Sequence, residues 1–298
     1  MPKVWRVRMR SLRPDVKHAE ARRFAIRKGI VGTGWGITKR NGSITIKDKC
    51  KKLEEYLKYA PTKYKKKRGF KQAVNAFGRR MEKGDYCWTY DPDTGEYWCG
   101  QVNGDFIYRS RRDFHKHDFY IVRRCKWKRA GTADDVPGGI IRAFCGPFGI
   151  VSRIINEEDA AILASRSLHE PGADNLIPDL FEAAGPDDLE DLVALYLQNR
   201  GWRIIPSTAK VSMASYEFVV VHRDGRRAGV QVKSGKAGLR RQAVAEDFDL
   251  FFVFTADGDA NVPEDPRIRC ITRQQIEKFA RRNKKMLPRR VQRWWNCE

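Results

Sequence analysis

The sequence predicts an α/β protein in two parts: a small β-barrel-like domain, followed by a domain whose central sheet is flanked by helices. Three observations carry this reading. Short alternating apolar and polar segments fill the first 130 residues, Gly and Pro cluster between 131 and 139, and from Pro186 onward helical and strand periodicities alternate. Charge divides the chain at the same place. Residues 1–130 hold 35 Lys and Arg against 13 Asp and Glu, whereas residues 131–298 hold 24 of each, so the formal net charge of +22 belongs to the first part. A charge so concentrated predicts a polyanion-binding surface, with nucleic acid as the expected partner.

The expected organisation is a domain over 1–130, a connector over 131–185 and a domain over 186–298. In the first, Trp5–Met9 and Ile44–Ile46 read as short strands, and Asp85–Tyr90 and Glu96–Val102 flank the turn Asp91–Gly95 as a hairpin. Phe106–Arg109 and Tyr120–Trp127 add two strands. The lysine-rich stretch Lys51–Arg80 is expected to be helical in two pieces, separated by Pro61 and Gly69. In the connector, Asn156 and the acidic run Glu157–Asp159 predict a helix to Ser167, because acids suit the positive end of the helix dipole. In the last part, apolar residues at 189, 192, 193 and 196–197 predict a helix from Pro186 to Gln198, closed by Gly201. Strands follow at Trp202–Ile205, Glu217–His222, Ala228–Lys233 and Leu250–Thr255, with Asp224-Gly225 as a hairpin turn and a closing helix over Arg273–Lys285.

Composition excludes several classes. The chain has no run of 18 apolar residues, and its basic N-terminus lacks a following apolar stretch, so a soluble, cytoplasmic protein without a membrane role is expected. The seven cysteines are odd in number and hold no close CxxC pair, which argues for reduced thiols. Cys87 and Cys99 are expected to face each other across the hairpin as buried small residues. His115 and His117 lack further ligands for zinc, and the GxxxxGK loop of ATPase motors is absent.

The residues that carry chemistry lie in the last domain. Residues two apart on a strand project from one face, so Gln231 and Lys233 aim an amide oxygen and an ammonium into one site. Glu217 begins the preceding strand, and hairpin pairing sets its carboxylate beside Gln231. Glu190, on the helix before the sheet, adds a further oxygen on the same side. Such oxygens suit Mg²⁺ (or Mn²⁺), which keeps waters that can become the nucleophile of phosphodiester hydrolysis. The expected metal ligands are Glu217, Gln231 and Glu190. Lys233 completes the catalytic set by positioning that water and offsetting transition-state charge.

These residues resemble the PD-(D/E)xK restriction-endonuclease superfamily, and within it the Mrr-like branch with its Gln-x-Lys ending. The resemblance covers Pro186 to Thr255, through the helix with Glu190, the acid Glu217 and the run Val230-Gln-Val-Lys-Ser-Gly235. It departs in two places: the central acid is Glu217 rather than Asp, and Ser215-Tyr-Glu217 replaces the Gly-x-Asp context. It implies a restriction-endonuclease-like sheet and Mg²⁺-dependent cleavage of DNA.

The first domain interleaves Trp5, Trp35, Trp88, Trp98 and Trp127 with Tyr86, Tyr90, Tyr97 and Tyr108 among its basic residues. Aromatic faces beside a cationic groove hold exposed or flipped bases. The base-pocket candidates are Trp35, Trp88, Trp98, Tyr86, Tyr90 and Tyr108, although a small barrel also needs bulky rings to fill its core. Trp35 stands out because Gly32-Thr-Gly-Trp-Gly36 is a close-approach loop. Trp5-Arg6-Val7-Arg8, Val31–Gly36, Gly84-Asp85-Tyr86 and Gly100-Gln-Val with Tyr108 resemble the PUA-like domains of the EVE type, which implies a reader of modified bases or unusual nucleic-acid structure.

The function expected is a metal-dependent DNA endonuclease of modification-dependent restriction or anti-phage defence. The alternatives are a catalytically inactive nucleic-acid-binding protein and an effector nuclease activated by a small nucleotide. Cutting both strands of a duplex calls for two active sites, hence a homodimer.

Overall fold

A computed structural model describes residues 1–37, 52–145, 149–155, 158–170, 176–209, 216–234, 237–238, 248–258 and 260–296. The chain divides into two compact units, Met1–Asn175 and Leu176–Glu298. The expected α/β class holds in both. The first is a curled half-barrel sheet with helices; the second is a mixed five-stranded sheet with helices.

The first unit starts with β1 (Val4–Val7), α1 (His18–Lys28) and β2 (Ile30–Thr33). Gly29 ends α1 in the left-handed region at φ +62°, where its N–H reaches the carbonyls of Ala25 and Ile26. The lysine-rich stretch folds as α2 (Leu53–Tyr59), α3 (Thr62–Lys65) and α4 (Arg68–Ala73), which runs on into a wider π-type turn over Val74–Arg80. The break between α2 and α3 falls at Pro61, as expected of a residue that cannot continue a helix, but Gly69, the other expected break, lies inside α4, and the second break falls at Lys66–Lys67. Then come β3 (Tyr86–Asp91), β4 (Glu96–Val102), β5 (Ile107–Tyr108), α5 (Arg112–Lys116) and the long β6 (Ile121–Gly131). The unit closes with α6 (Gly138–Phe144), β7 (Val151–Arg153) and α7 (Glu158–His169). The expected strand at Ile44–Ile46 lies outside the described residues.

The strand order is β2-β6-β4-β3-β1-β7, with β5 also on β6. β1 runs parallel to β3, and the other pairs are antiparallel. One face of the hairpin encloses a core that includes Trp5, Phe24, Cys87, Tyr108 and Tyr120. The other is covered by α7, where Trp88 Nε1 donates to Ser165 Oγ at 2.8 Å and Tyr86 Oη donates to Glu170 Oε1 at 3.1 Å. Residues 131–175, expected in a connector, are therefore part of this unit: β7 pairs with β1 and α7 caps the hairpin. Cys87 does not face Cys99. The register sets Cys87 opposite Gly100, and its Sγ lies 3.4 Å from Cys125 Sγ, a contact that a Cβ on Gly100 would obstruct at 2.3 Å from the same sulfur.

The second unit begins with α8 (Leu180–Ala183) and α9 (Pro186–Asn199), followed by β8 (Trp202–Ile204), β9 (Phe218–His222), β10 (Arg227–Lys233), β11 (Ala237–Gly238), β12 (Leu250–Thr255), β13 (Ala260–Asn261), β14 (Ile268–Ile271), α10 (Arg273–Arg282) and α11 (Arg289–Trp294). The main sheet has the order β14-β12-β10-β9-β8. β14, β12 and β10 run parallel, while β9 and β8 pair antiparallel at the other edge. Leu189, Leu192, Val193 and Leu197 form the buried stripe of α9, at the helical spacing read from the sequence. Asp188 in the first turn of α9 is buried and ion-paired to buried Arg290 of α11, and it also accepts from the N–H of Gly185 at 2.6 Å. That pairing fixes the start of α9 and hence the position of Glu190.

Candidate functional site

In the second unit, β9 and β10 pair in the register Val230↔Phe218, and Glu217 N–H donates to the carbonyl of Val230 at 2.8 Å. The alternation along both strands then puts Glu217 on the same face as Gln231 and Lys233. Lys233 Nζ donates to Glu217 Oε1 at 2.8 Å. The expected meeting of Glu217 and Lys233 is thus present as an ion pair, half-buried at 24% and 39% side-chain exposure for Glu and Lys.

Glu190 completes the group from α9. Burial, reinforced by the charges of Glu217, Asp187 and Asp191, pushes its carboxyl up to about 7, and Lys233 pulls it only partly back. Among the described residues it has no ion-pair partner, so α9 and β9 hold two carboxylates near one another with only one lysine to balance them. Gln231 is buried at 8% exposure, on the strand face that it shares with Lys233.

This donor set fits a hard divalent cation. A carboxylate under repulsion gains by binding one, an amide oxygen can serve it as a neutral ligand, and Mg²⁺ asks for few protein oxygens because it retains waters. Among the described residues, no cluster of three or more His, Cys, Asp and Glu is gathered for a metal, so the set rests on Glu190, Glu217 and the Gln231 amide. Asp187 and Asp191, which add to the repulsion on Glu190, were not singled out from sequence. Their spacing of three and one residues from Glu190 on α9 is the signal that was available.

The first unit contains a separate pocket of about 560 Å³. Trp35, Tyr64 and Tyr120 give it aromatic walls, and Arg13, Lys67, His115 and Asp118 give it polar ones. Trp35 sits at φ +74°, a left-handed conformation that costs a bulky residue about 1–3 kcal/mol and persists only when surroundings enforce it. Tyr64 and Phe70 meet its ring edge-on at 5.2 and 5.5 Å, and Tyr56 Oη donates to its carbonyl at 2.8 Å. Its indole Nε1 is buried with no acceptor among the described residues.

The glycine loop explains the close approach. A Cβ on Gly36 would lie 2.4 Å from the Tyr120 ring, and one on Gly34 would lie 2.8 Å from the Asp118 carboxylate. Asp118, itself at φ +58°, is 3% exposed and accepts from the Ser11 hydroxyl and the Leu12 N–H. Burial raises its pKa against the lowering effect of those two donors. Burial and the nearby Asp118 push the Tyr120 hydroxyl up to about 12, so it stays a neutral donor.

The other base-pocket candidates are elsewhere. Trp88 and Tyr86 are under α7, and Tyr108 is fully buried with its hydroxyl accepting from Ile37 N–H at 2.9 Å. These three rings fill the core because every second residue of a curled sheet must do so. Trp98 is half-buried on β4, outside the pocket. Tyr90 packs on Tyr97 and Phe144 and lines a different cavity. Of the six, only Trp35 lines this pocket. Sequence reading weighed His115 and Asp118 only for zinc and did not single out Tyr64 or Tyr120; β2–β6 pairing brings the 115–120 stretch to Trp35, and Tyr64 reaches the loop from α3, its hydroxyl donating to the Gly36 carbonyl at 3.1 Å.

A sequence family described only as a domain of unknown function, DUF8426, matches residues 5–137, which is what the first unit is similar to. No curated protein and no solved structure matches the chain.

Proposed function

We propose that the chain is a metal-dependent DNA endonuclease whose second unit hydrolyses the phosphodiester and whose first unit inspects the nucleic acid. The observation that carries this is the Glu190, Glu217, Gln231 and Lys233 group, in which the half-buried Glu190 carboxyl is raised by burial and by the charge of Glu217, Lys233 pairs with Glu217, and the buried Gln231 shares their strand face. A bound Mg²⁺ or Mn²⁺ supplies a polarised phosphoryl oxygen and an activated water. Glu217 holds the Lys233 ammonium in place, and Lys233 is then set to donate to a phosphoryl oxygen as negative charge builds on it. Gln231 and Glu190 present the remaining oxygens. The expected PD-(D/E)xK arrangement of the Mrr-like branch supports the same assignment. A homodimer would supply the second active site that duplex cleavage requires.

The aromatic pocket supports the reading role. Its volume suits a nucleobase or a nucleotide, its aromatic walls offer stacking, and Arg13, Lys67, His115 and Asp118 offer polar edges. The setting this fits is restriction of modified DNA or a related anti-phage defence.

The test is a cleavage panel of modified and unmodified phage DNAs with Mg²⁺ or Mn²⁺, comparing wild type with Lys233→Ala. Cleavage by wild type and none by the variant, with DNA binding retained by both, is the expected result. Equal inertness on every substrate would leave a nucleic-acid-binding protein without catalysis. Cleavage that appears only after adding a small nucleotide, and is lost in Trp35→Ala, would make the pocket an activator site.

A further inference from the structure

A second cavity in the first unit, of about 290 Å³, is lined by Arg8, Arg10, His18, Arg22 and Tyr90. We propose that this cavity binds a phosphate group, held between the three arginines and the first turn of α1. The inference rests on the first unit alone and is independent of the cleavage reading.

The sequence prepares the site in a simple way. In Trp5-Arg6-Val7-Arg8-Met9-Arg10 the apolar residues alternate with arginines, so Trp5, Val7 and Met9 enter the core while the arginines share the opposite side. Arg6 is turned inward, with Nε donating to Ser152 Oγ and Nη2 to the Gly149 carbonyl. Arg8 donates to the Phe144 carbonyl at the cavity wall. Arg10 is exposed and has no ion-pair partner among the described residues. The three cations crowd one another: burial, then the charges of Arg8 and Arg10, lower the Arg6 guanidinium to about 10.

Two features point to an anion rather than to a merely solvated basic edge. The first is α1, an eleven-residue helix whose N-cap, Lys17, offers no side-chain acceptor to the first turn, so its positive end opens where His18 and Ala19 line the cavity. The second is Arg22, one turn further along α1. It is 4% exposed, and its Nε has no acceptor among the described residues. Its Nη1 lies 2.5 Å from Asp91 Oδ1, a buried ion pair without hydrogen-bond alignment, which balances its charge but leaves guanidinium N–H groups without acceptors among the described residues. Asp93 and Glu20 are the other acids nearby; Asp93 lines the cavity rim and Glu20 lies in the first turn of α1. Against them stand Arg8 and Arg10, beside Arg22, which Asp91 pairs.

The shared chemistry is a phosphate oxyanion, whose tetrahedral oxygens suit several guanidinium donors at once. It can come from a nucleic-acid backbone, from a strand end or from free phosphate. The experiment uses the full chain without divalent metal, so no cleavage is read. Three probes are titrated: inorganic phosphate by calorimetry, and a 3′-labelled single-stranded oligonucleotide carrying a 5′-phosphate or a 5′-hydroxyl by fluorescence anisotropy. The variants are Arg10→Ala, Arg10→Lys and, as a charge-matched control on exposed α5, Arg112→Ala.

The expected result is that Arg10→Ala weakens binding of at least one probe about tenfold, as loss of a charge-assisted hydrogen bond does. Arg10→Lys should recover part of it, and Arg112→Ala should stay within about twofold. Weakening confined to the 5′-phosphorylated strand makes the source a strand end. Equal weakening of both strands makes it a backbone phosphate, and weakening for inorganic phosphate alone makes it a free anion. The proposal is overturned if Arg10→Ala binds all three probes like wild type, or if Arg112→Ala loses as much as Arg10→Ala does.

Discussion

Replacing Glu190 by Gln tests whether the carboxylate group of the second unit is built under repulsion. The Glu190 carboxyl is raised from 4.5 to about 7 by burial and by the charges of Glu217, Asp187 and Asp191. At about 1.4 kcal/mol per pH unit, the ceiling on the penalty is roughly 3 kcal/mol, and solvent screening at a half-exposed position reduces it to about 1–2 kcal/mol. The direction follows from the raised value. Below the ordinary carboxylate pKa both folded and unfolded states are protonated and nothing is lost; between there and pH 7 the unfolded chain ionises while the fold keeps the carboxyl neutral, so the penalty grows; above 7 both are ionised and the whole penalty is present. Glu190→Gln keeps the shape and removes the charge. In EDTA at pH 8 the variant should therefore be more stable than wild type by about 1–2 kcal/mol, and at pH 4 the two should coincide. Urea unfolding at the two pH values measures this directly. Adding Mg²⁺ at pH 8 should stabilise wild type and do less for the variant. If Glu190→Gln is equal to or weaker than wild type at pH 8 in EDTA, the carboxylate is not strained and the argument for a cation at this group fails.

Three further perturbations probe the supports of the two sites. Ser165→Ala removes the acceptor of the buried Trp88 N–H and should lower stability by about 1–3 kcal/mol in denaturant unfolding while leaving cleavage chemistry unchanged. Asp188→Ala leaves Arg290 buried without its counter-charge and should lower stability by about 3–5 kcal/mol, with a loss of Mg²⁺ response because the start of α9 carries Glu190. Gly36→Ala drives a methyl to 2.4 Å from the Tyr120 ring, and calorimetry should show a loss of about 1–3 kcal/mol together with weaker binding of oligonucleotides that depend on Trp35.

The candidate group of the second unit was legible in the sequence because its geometry is local. Gln231 and Lys233 are two apart on one strand, and Glu217 is carried to them by a tight turn at Asp224-Gly225, where Gly225 takes φ +94°. Pairing across so short a connection leaves little choice of register. α9 was equally legible from its buried stripe. β14 was not read, because Ile268–Ile271 offers a four-residue segment with only its ends buried. The base pocket was largely illegible for a different reason. Its walls come from Trp35 and Tyr120, joined by the pairing of β2 with β6 across roughly ninety residues, and from Tyr64 on α3, and no spacing rule reports that. Most tryptophans and tyrosines of the first unit look alike in sequence, and only the left-handed backbone at Trp35, hinted at by the glycines around it, separates a pocket residue from a core one.

The unit boundary at 175 also refines the charge argument. The first unit, Met1–Asn175, holds 38 Lys and Arg against 20 Asp and Glu, a net +18, and the second holds 21 against 17, a net +4. Residues 131–175 account for the change, since they bring three basic and seven acidic residues to the first unit. Several of those acids are committed locally: Glu158 pairs with Arg153, Glu170 accepts from Tyr86, and Asp135 accepts from the N–H of Thr132. They serve to hold α7 and the end of β6 and so subtract little from the cationic faces around Arg10 and Lys67. The second unit is not neutral, yet its basic excess includes Arg290 and Arg273, which are spent on Asp188 and Asp179. Long-range attraction of a polyanion therefore falls mainly to the first unit. On the proposed function, a group already crowded with carboxylates would gain from that division of charge, because attraction of the strand would not depend on positive charge of its own.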